Sequence, residues 1–279
     1  MKVMLIDVSK CNGCFCCQLA CKDEHVDNDW SPYARPQPEL GHFWMKLSEV
    51  ERGEYPKVKI AYVPEPCLHC QYAGCITQSP KGSVYRRPDG IVIIDPVKSQ
   101  GHPEIVETCP YGRIYWNETL GIPQKCTFCA HLLDEGKLKE PRCVEACPTH
   151  AILFGDYEDL KNRIKADGVE VPRPELGLRP NVYYIGLPKR FVAGSVVFGD
   201  SDECAEGVVV TLAGSNNNKV TRTNNYGDFE FDGLPADGEF TVKLECPGYA
   251  ARQLKVRTDK DTYLGDIVLK ANKASRSRR

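Results

Sequence analysis

The residues best able to do chemistry are cysteines, and the first group is Cys11, Cys14, Cys17 and Cys21, with Cys16 beside them. Read as C-x2-C-x2-C-x3-C, three thiolates on a tight loop hold three irons of one cubane and the fourth reaches a different cluster. That fourth thiolate needs partners elsewhere, so the chain has to fold back to supply them. Tetrahedral zinc is the competing reading. It takes four ligands, usually as two separated pairs, and five sulfurs within eleven residues crowd such a site.

Further groups follow: Cys67, Cys70 and Cys75; a lone Cys109 in Cys-Pro-Tyr-Gly; Cys126 and Cys129; Cys143 and Cys147. Pro110 and Pro148 each follow a ligand, where a proline stops a helix and leaves no N–H in need of a partner. Ser79-Pro80 repeats that grammar four residues after Cys75, with serine in the ligand's place. A complete loop ending at Cys109 would carry sulfur at 99, 102 and 105, where Ser99, His102 and Ile105 stand. In paired ferredoxins the first three ligands of one loop join the last of its partner. That rule groups Cys11, Cys14, Cys17 with Cys147; Cys126, Cys129, Cys143 with Cys21; and Cys67, Cys70, Cys75 with Cys109. Three 4Fe-4S clusters result, and Ser79, Ser99, His102 and Ile105 are the whole ligand set of a fourth.

Other residues have plainer readings. Cys16 reads as a small buried thiol, because using it as ligand gives a spacing no cubane loop has. Cys204 and Cys246 read as free thiols. His25, His69 and His131 read as hydrogen-bond donors or partner contacts, since imidazole ligates clusters in the Rieske arrangement. His102 reads as solvent-facing, and Tyr111, Tyr115 and Trp116 as core or interface. Lys125 either tunes a cluster by its charge or contacts the pterin side of a partner.

The elements that position these groups are short. Val3 to Asp7 reads as a strand feeding the first loop, Phe15 to Glu24 as one or two helical turns, and 31–40 as a loop with three prolines. His42–Val50 and Val58–Val63 look extended. Val84 to Ile94 reads as a hairpin turning on Pro-Asp-Gly. Ile152–Phe154 reads as a strand and Asp156–Ala166 as a surface helix. The chain has 279 residues, enough for two domains, and a net charge of -2, which offers no field for nucleic acid or anionic lipid. Fifteen cysteines, thirteen of them before residue 148, place the metal chemistry in the first half. A disulfide framework suits small secreted domains, and the opening Met-Lys-Val-Met-Leu-Ile-Asp lacks a secretory h-region. No apolar run approaches the roughly eighteen residues of a membrane span.

Beyond Arg173–Pro180 the grammar changes. Strands are expected at Val192–Phe198, Gly207–Leu212, Val220–Thr223, Asp228–Phe231, Glu239–Cys246, Ala251–Arg257 and Tyr263–Leu269, separated by Gly, Asn, Asp and Ser turns. Short strands at this spacing predict a seven-stranded β-sandwich. No catalytic constellation is visible in it, so it reads as a packing or docking module.

Several stretches carry a resemblance: Lys22-Asp-Glu-His25, Gly41-His-Phe-Trp44, Cys67-Leu-His-Cys70, Asp89 to Asp95, Cys109-Pro-Tyr-Gly112 with Tyr115-Trp-Asn117, Gln124 to Leu133, and Pro174-Glu-Leu-Gly177. With the cysteine groups, they make the chain resemble the iron–sulfur subunits of the molybdopterin oxidoreductase superfamily, of dimethyl-sulfoxide-reductase type. Closer still, it resembles the small subunits of the pyrogallol–phloroglucinol transhydroxylase kind. The second half is similar to prealbumin-like, carboxypeptidase-regulatory-like modules. The resemblance implies an α+β chain: a ferredoxin-like domain over 1–188 with pseudo-twofold cysteine loops, an extension at 26–64 and a linker about 167–188. The prealbumin-like sandwich at 189–271 and a basic tail at 272–279 follow. It implies an electron-transfer subunit without an active site, in a heterodimer with a large subunit that holds molybdenum or tungsten on molybdopterin guanine dinucleotide. The lack of a span and of a signal gives the expectation that this heterodimer is cytoplasmic, although relatives can be exported folded with a partner that carries a twin-arginine signal. In respiratory relatives the cluster missing here lies at the outlet toward the membrane, which favours polyphenol hydroxyl transfer. Alternatives are a respiratory electron-transfer subunit and a scaffold whose clusters are only structural.

Overall fold

The structure is a computed structural model that describes residues 1–166, 168–214 and 218–272. The basic tail beyond 272 and residues 215–217, where the sequence predicts a turn, lie outside the described residues. Two compact units form: Met1–Val50 with Ala61–Leu187, and Glu51–Ile60 with the described residues from Pro188 onward. The middle of the 26–64 extension therefore belongs with the second unit.

In chain order the first elements are β1 (Lys2–Asp7), α1 (Cys16–His25), β2 (Lys46–Glu54), β3 (Lys57–Glu65), α2 (Gly74–Thr77), β4 (Val84–Arg86) and β5 (Val92–Ile94). Then come β6 (Tyr115–Asn117), β7 (Ile122–Gln124), α3 (Ala130–Asp134), α4 (Arg142–Glu145), β8 (Ile152–Asp156), α5 (Tyr157–Ile164), β9 (Val169–Glu170) and β10 (Val182–Ile185). Val3, Met4, Leu5 and Ile6 are all buried. An unbroken apolar run is what a strand covered on both faces requires. β1 accordingly sits inside the sheet β8-β1-β10-β9, antiparallel to β8 and parallel to β10. The stretch expected as a linker thus supplies an inner strand, because Val182 pairs with Met4 and Ile185 with Asp7. Pairing between chain segments so far apart has no local signature.

The β4–β5 hairpin closes on Pro88-Asp89-Gly90, where Asp89 Oδ1 accepts from Ile91 N at 3.1 Å. The β6–β7 hairpin has no sequence signature, since its strands are three residues long and Pro123 sits in one of them. It pins the excursion after α1. Gln124 Nε2 donates to the carbonyls of Arg35 (2.9 Å) and Pro36 (3.0 Å), and Asn117 Nδ2 donates to Gln124 Oε1 (3.0 Å).

The second unit comprises β11 (Arg190–Phe198), β12 (Val209–Gly214), β13 (Asn218–Arg222), β14 (Asp228–Leu234), β15 (Glu239–Glu245), β16 (Arg252–Arg257) and β17 (Thr262–Leu269). They form one sheet in the order β14-β11-β17 and another in the order β13-β12-β15-β16. Alternate residues point inward: Val210 and Leu212, Phe229 and Phe231, Val242 and Leu244, Ile267 and Leu269 share one core. Gly227 has φ +77°, and a Cβ there would stand 2.3 Å from the Val196 carbonyl oxygen, so the turn into β14 admits only glycine. The Glu51–Ile60 tip is held in this unit by ion pairs from Lys57 to Glu230 (2.8 Å) and from Lys59 to Glu230 and Asp232. Arg52 and Lys59 also lie over the Phe191 ring. Among the described residues no helix is long and apolar enough to cross a membrane.

Candidate metal centres

β1 delivers the chain to the first loop. Asp7 Oδ1 accepts from Ser9 N and Ser9 Oγ, which caps a 3-10 turn over Val8–Lys10 and aims Cys11 into the loop. Gly13 has φ +73°, and a Cβ there would meet the Tyr62 ring at 2.6 Å. Any side chain at 13 would push the loop off its seat.

α1 then does the organising. Cys17 and Cys21 lie four residues apart, hence on one helix face one turn apart, and both are buried. Burial pushes the Cys17 thiol up to about 12, and the neighbouring thiolates of Cys11, Cys147 and Cys14 push the same way. Burial also raises Cys21 well above its ordinary value, but the thiolates beside it are Cys126 and Cys129. α4 reciprocates from the other side and packs on α1. Its Cys143 is raised by burial and then by Cys129, Cys21 and Cys126. One turn on, Cys147 stands among the first loop's sulfurs. Burial would raise Cys147 too, but hydrogen bonds from Thr149 and the backbone of Ala151 and Ile152 outweigh it and hold it low.

The third group gathers beneath the β4–β5 hairpin. Cys67, Cys70, Cys75 and Cys109 all line one cavity. Cys70 is pushed up to about 12, by burial first and then by Cys67, Cys109 and Cys75. Cys75 rises to about 11, by burial and then Cys67. The groups also touch electrostatically in series. Cys17 acts on Cys143, and Cys67 acts on Cys126. The order is therefore Cys11/14/17/147, then Cys21/126/129/143, then Cys67/70/75/109.

Backbone N–H groups point at several sulfurs: Phe128 N at Cys126 Sγ (3.4 Å), Arg113 N at Cys109 Sγ (3.5 Å) and Met45 N at Cys21. Phe128 and Cys129 both take left-handed φ, 53° and 49°, which turns the loop so that its amides face inward. Among the described residues no three His, Cys, Asp or Glu side chains converge tightly enough for a single ion. Four thiolates that each take a different iron of one cubane need no such convergence, whereas tetrahedral zinc does. This donor set fits cubanes.

The three histidines are buried, so none is a partner contact. His25 Nε2 lies 3.9 Å from Cys129 Sγ, and burial, then His131, depresses its imidazole to about 3. His131 Nε2 meets Glu24 Oε1 at 3.0 Å and its ring stacks on Trp30. His69 lines the third cavity, and burial, then Lys125 and Arg86, push its imidazole well below its usual range. Lys125 is buried too, with Nζ on the carbonyls of Val92 and Cys126, so it is not presented to a partner's pterin. Cys16 is half-exposed beside Cys14 rather than buried, because it opens α1 one position before the buried Cys17 and so lies off the face that Cys17 and Cys21 share. Cys204 and Cys246 are unbridged.

The four positions expected to be a vacated ligand set have different settings. Ile105 is fully buried in an apolar cluster with Ala73, Val84, Val92, Ile94 and Ile114. Ser99 is buried, and neither its Oγ nor that of Ser79 has a hydrogen-bond partner among the described residues. His102 Nδ1 pairs with Glu104 Oε1 at 2.8 Å at the surface.

Comparison with known proteins agrees with this geometry. The sequence matches the 4Fe-4S dicluster domain family over residues 58–157 and the carboxypeptidase regulatory-like domain family over residues 192–270. It is 42% identical over 275 residues to the pyrogallol hydroxytransferase small subunit of Pelobacter acidigallici, covering 95% of this chain and 98% of that one. The chain belongs to the iron–sulfur subunits of the molybdopterin oxidoreductases. Its identity to a tetrathionate reductase subunit of Salmonella typhimurium is 34% over 197 residues, covering 68% of this chain and 74% of that one. Identity to a sulfite dehydrogenase subunit of Allochromatium vinosum is 32% over 200 residues, covering 67% and 82%. As a member of this family the chain carries electrons through 4Fe-4S clusters and works with a large catalytic subunit, which in related enzymes holds the molybdopterin.

Proposed function

We propose that this chain holds three 4Fe-4S clusters and serves a molybdopterin subunit that transfers or adds hydroxyl groups on polyphenols. The ligands are Cys11, Cys14, Cys17 and Cys147; Cys21, Cys126, Cys129 and Cys143; and Cys67, Cys70, Cys75 and Cys109. A cluster of this kind supplies one-electron relay chemistry when bound. The rest is what the chain does for it. α1 and α4 exchange ligands between the first two quartets, Cys126 and Cys67 bring the third beside the second, and core side chains bury the second most completely, while Cys14 of the first is exposed.

The observation that carries the reading is the end of the series. Beyond Cys67/70/75/109 there is apolar core at Ile105, not a fourth quartet. A wire closed on that side suits an enzyme that moves electrons internally. The alignment with the Pelobacter protein covers 98% of that chain and takes in the sandwich here, which supports the same choice. The tetrathionate and sulfite enzymes' subunits align over about two thirds of this chain. A respiratory role is the second reading. In the first, this chain contributes no active site, the sandwich is a docking module, and the heterodimer is cytoplasmic, in keeping with fifteen cysteines that all stand unbridged.

The test is purification of the native complex, with iron and sulfide analysis and parallel assays on pyrogallol, resorcinol, catechol and a quinol analogue. The expected result is about twelve irons per chain, by four irons for each of three cubanes, and turnover of a phenol. Sixteen irons, or quinol turnover without any phenol turnover, overturns the proposal. Cell fractionation checks the compartment separately.

A further inference from the structure

Two buried groups at the third quartet remain unused by anything above. Val92 N donates to His69 Nδ1 at 3.0 Å. That nitrogen is therefore an acceptor, and the single proton of the neutral ring sits on Nε2. His69 is 1% exposed, its ring rests on Phe128 with centroids 3.8 Å apart, and Nε2 has no hydrogen-bond partner among the described residues. A buried N–H is seldom left unpaired. His69 lines the same cavity as Cys67, Cys70, Cys75 and Cys109. The second group is Lys125, which lines that cavity as well. Among the described residues its ammonium meets the backbone carbonyls of Val92 and Cys126 and no carboxylate. A buried cation needs a compensating anion, and the nearest available charge is that of the metal-bound thiolates on either side, since Lys125 acts on Cys75, Cys109 and Cys126 alike.

We propose that His69 Nε2–H donates a hydrogen bond to the sulfur of the cluster on Cys67/70/75/109, and that Lys125 sits as a fixed positive charge between this cluster and the one beside it. This rests on the three-quartet reading above. Hydrogen bonds to cluster sulfurs and nearby positive charge both favour the electron-rich state, and so raise the reduction potential. The two residues differ in reach. His69 serves the third cluster alone, while Lys125 serves the second and third. His69 moves no proton in this role, because Nε2 keeps its hydrogen in both redox states. The closed end of the series is thereby the place where an electron rests most stably, a reservoir rather than an outlet. Both are positioning residues, since neither ligates iron.

The test uses the intact complex and a dithionite titration followed by electron paramagnetic resonance. In the parent protein labelled with 15N-histidine, the reduced third cluster is expected to show a coupled histidine nitrogen and an exchangeable proton beyond those of the Arg113 and Tyr111 backbone amides at Cys109. Its potential is expected to be the highest of the three. His69→Leu is expected to lower that one potential and abolish both couplings with iron content unchanged, and His69→Gln, which keeps a donor and an acceptor, to restore most of the shift. Lys125→Met is expected to lower two potentials. Absence of the couplings in the parent protein overturns the proposal without any variant. So does an unshifted potential in a fully loaded His69→Leu protein. If Cys70→Ala removes no cluster, the three-quartet reading itself has failed, a result the iron count shows independently of any potential.

Discussion

Ile105 tests whether the position where a fourth centre would find a ligand is apolar core. The perturbation is Ile105→Ala, with Ile105→Val beside it. Ile105 is 0% exposed and touches Ala73, Val84, Val92, Ile94 and Ile114. Truncation to alanine removes three carbons, worth about 2.4 kcal/mol at roughly 0.8 kcal/mol per buried CH₂. The neighbours sit on short strands and turns tied to one another by the β4–β5 ladder, so they relax little, and a cavity penalty of about 1–2 kcal/mol adds. The sum is about 4 kcal/mol, which at about 2–4 °C per kcal/mol for a unit of this size lowers the thermal midpoint by about 8–16 °C. The valine variant loses about 1 kcal/mol. Iron and sulfide content stay at the parent level in both, because no ligand is touched. The assay is thermal unfolding by circular dichroism at a fixed scan rate, with metal analysis on the same samples. A midpoint within about 2 °C of the parent for Ile105→Ala refutes the packing argument. Iron loss at an unchanged midpoint refutes it differently, by showing that the position serves a metal centre.

Further outcomes follow from the same structure. Cys17→Ser and Cys21→Ser, one helical turn apart, are expected to damage different clusters, so their reduced spectra differ from the parent in different components; identical losses would contradict the exchange of ligands between α1 and α4. Gln124→Leu removes the side-chain donor to the Arg35 carbonyl and one of the two donors to the Pro36 carbonyl, which keeps Asn117 Nδ2 at 3.2 Å. It is expected to destabilise the first unit by about 1–2 kcal/mol, read as a lowered midpoint and faster hydrogen exchange after α1. For Glu230 and Asp232 burial raises the carboxyls, but hydrogen bonds from Lys57 and Lys59 to Glu230, and from Lys59 and Gly233 N to Asp232, outweigh it and hold both below their ordinary values. Depressed carboxylates stabilise the fold fully above the unfolded range near about pH 4 and lose that contribution as pH falls through the folded values. Partial exposure limits the effect to about 1 kcal/mol, seen as lower amide protection factors at residues 52–58 in acid, and already at neutral pH in Lys59→Ala.

Much of the site was legible because cluster loops are local. Cys11 to Cys21, Cys67 to Cys75 and Cys143 to Cys147 announce themselves by spacing, since a cubane constrains neighbouring residues on one tight turn. The expectation that a fourth centre is absent rests on the same locality, as Ser79, Ser99, His102 and Ile105 fall at fixed intervals from the other cysteines. The strands of the second unit were visible through period-two alternation and turn residues. Other features were decided by contacts between distant segments. β10 was hidden in an apparent linker, because its parallel partner β1 lies at the far end of the unit. The β6–β7 hairpin was too short to show a period, yet its Gln124 and Asn117 hold the excursion. Residues 51–60 gave no sign that they belong with the sandwich, since Lys57 and Lys59 acquire meaning only beside Glu230 and Asp232. His69 illustrates the division best. Its place between Cys67 and Cys70 is written in the sequence, but the tautomer it carries was fixed by Val92 N reaching across from β5, because a hydrogen bond between chain segments is made by tertiary packing and by nothing local.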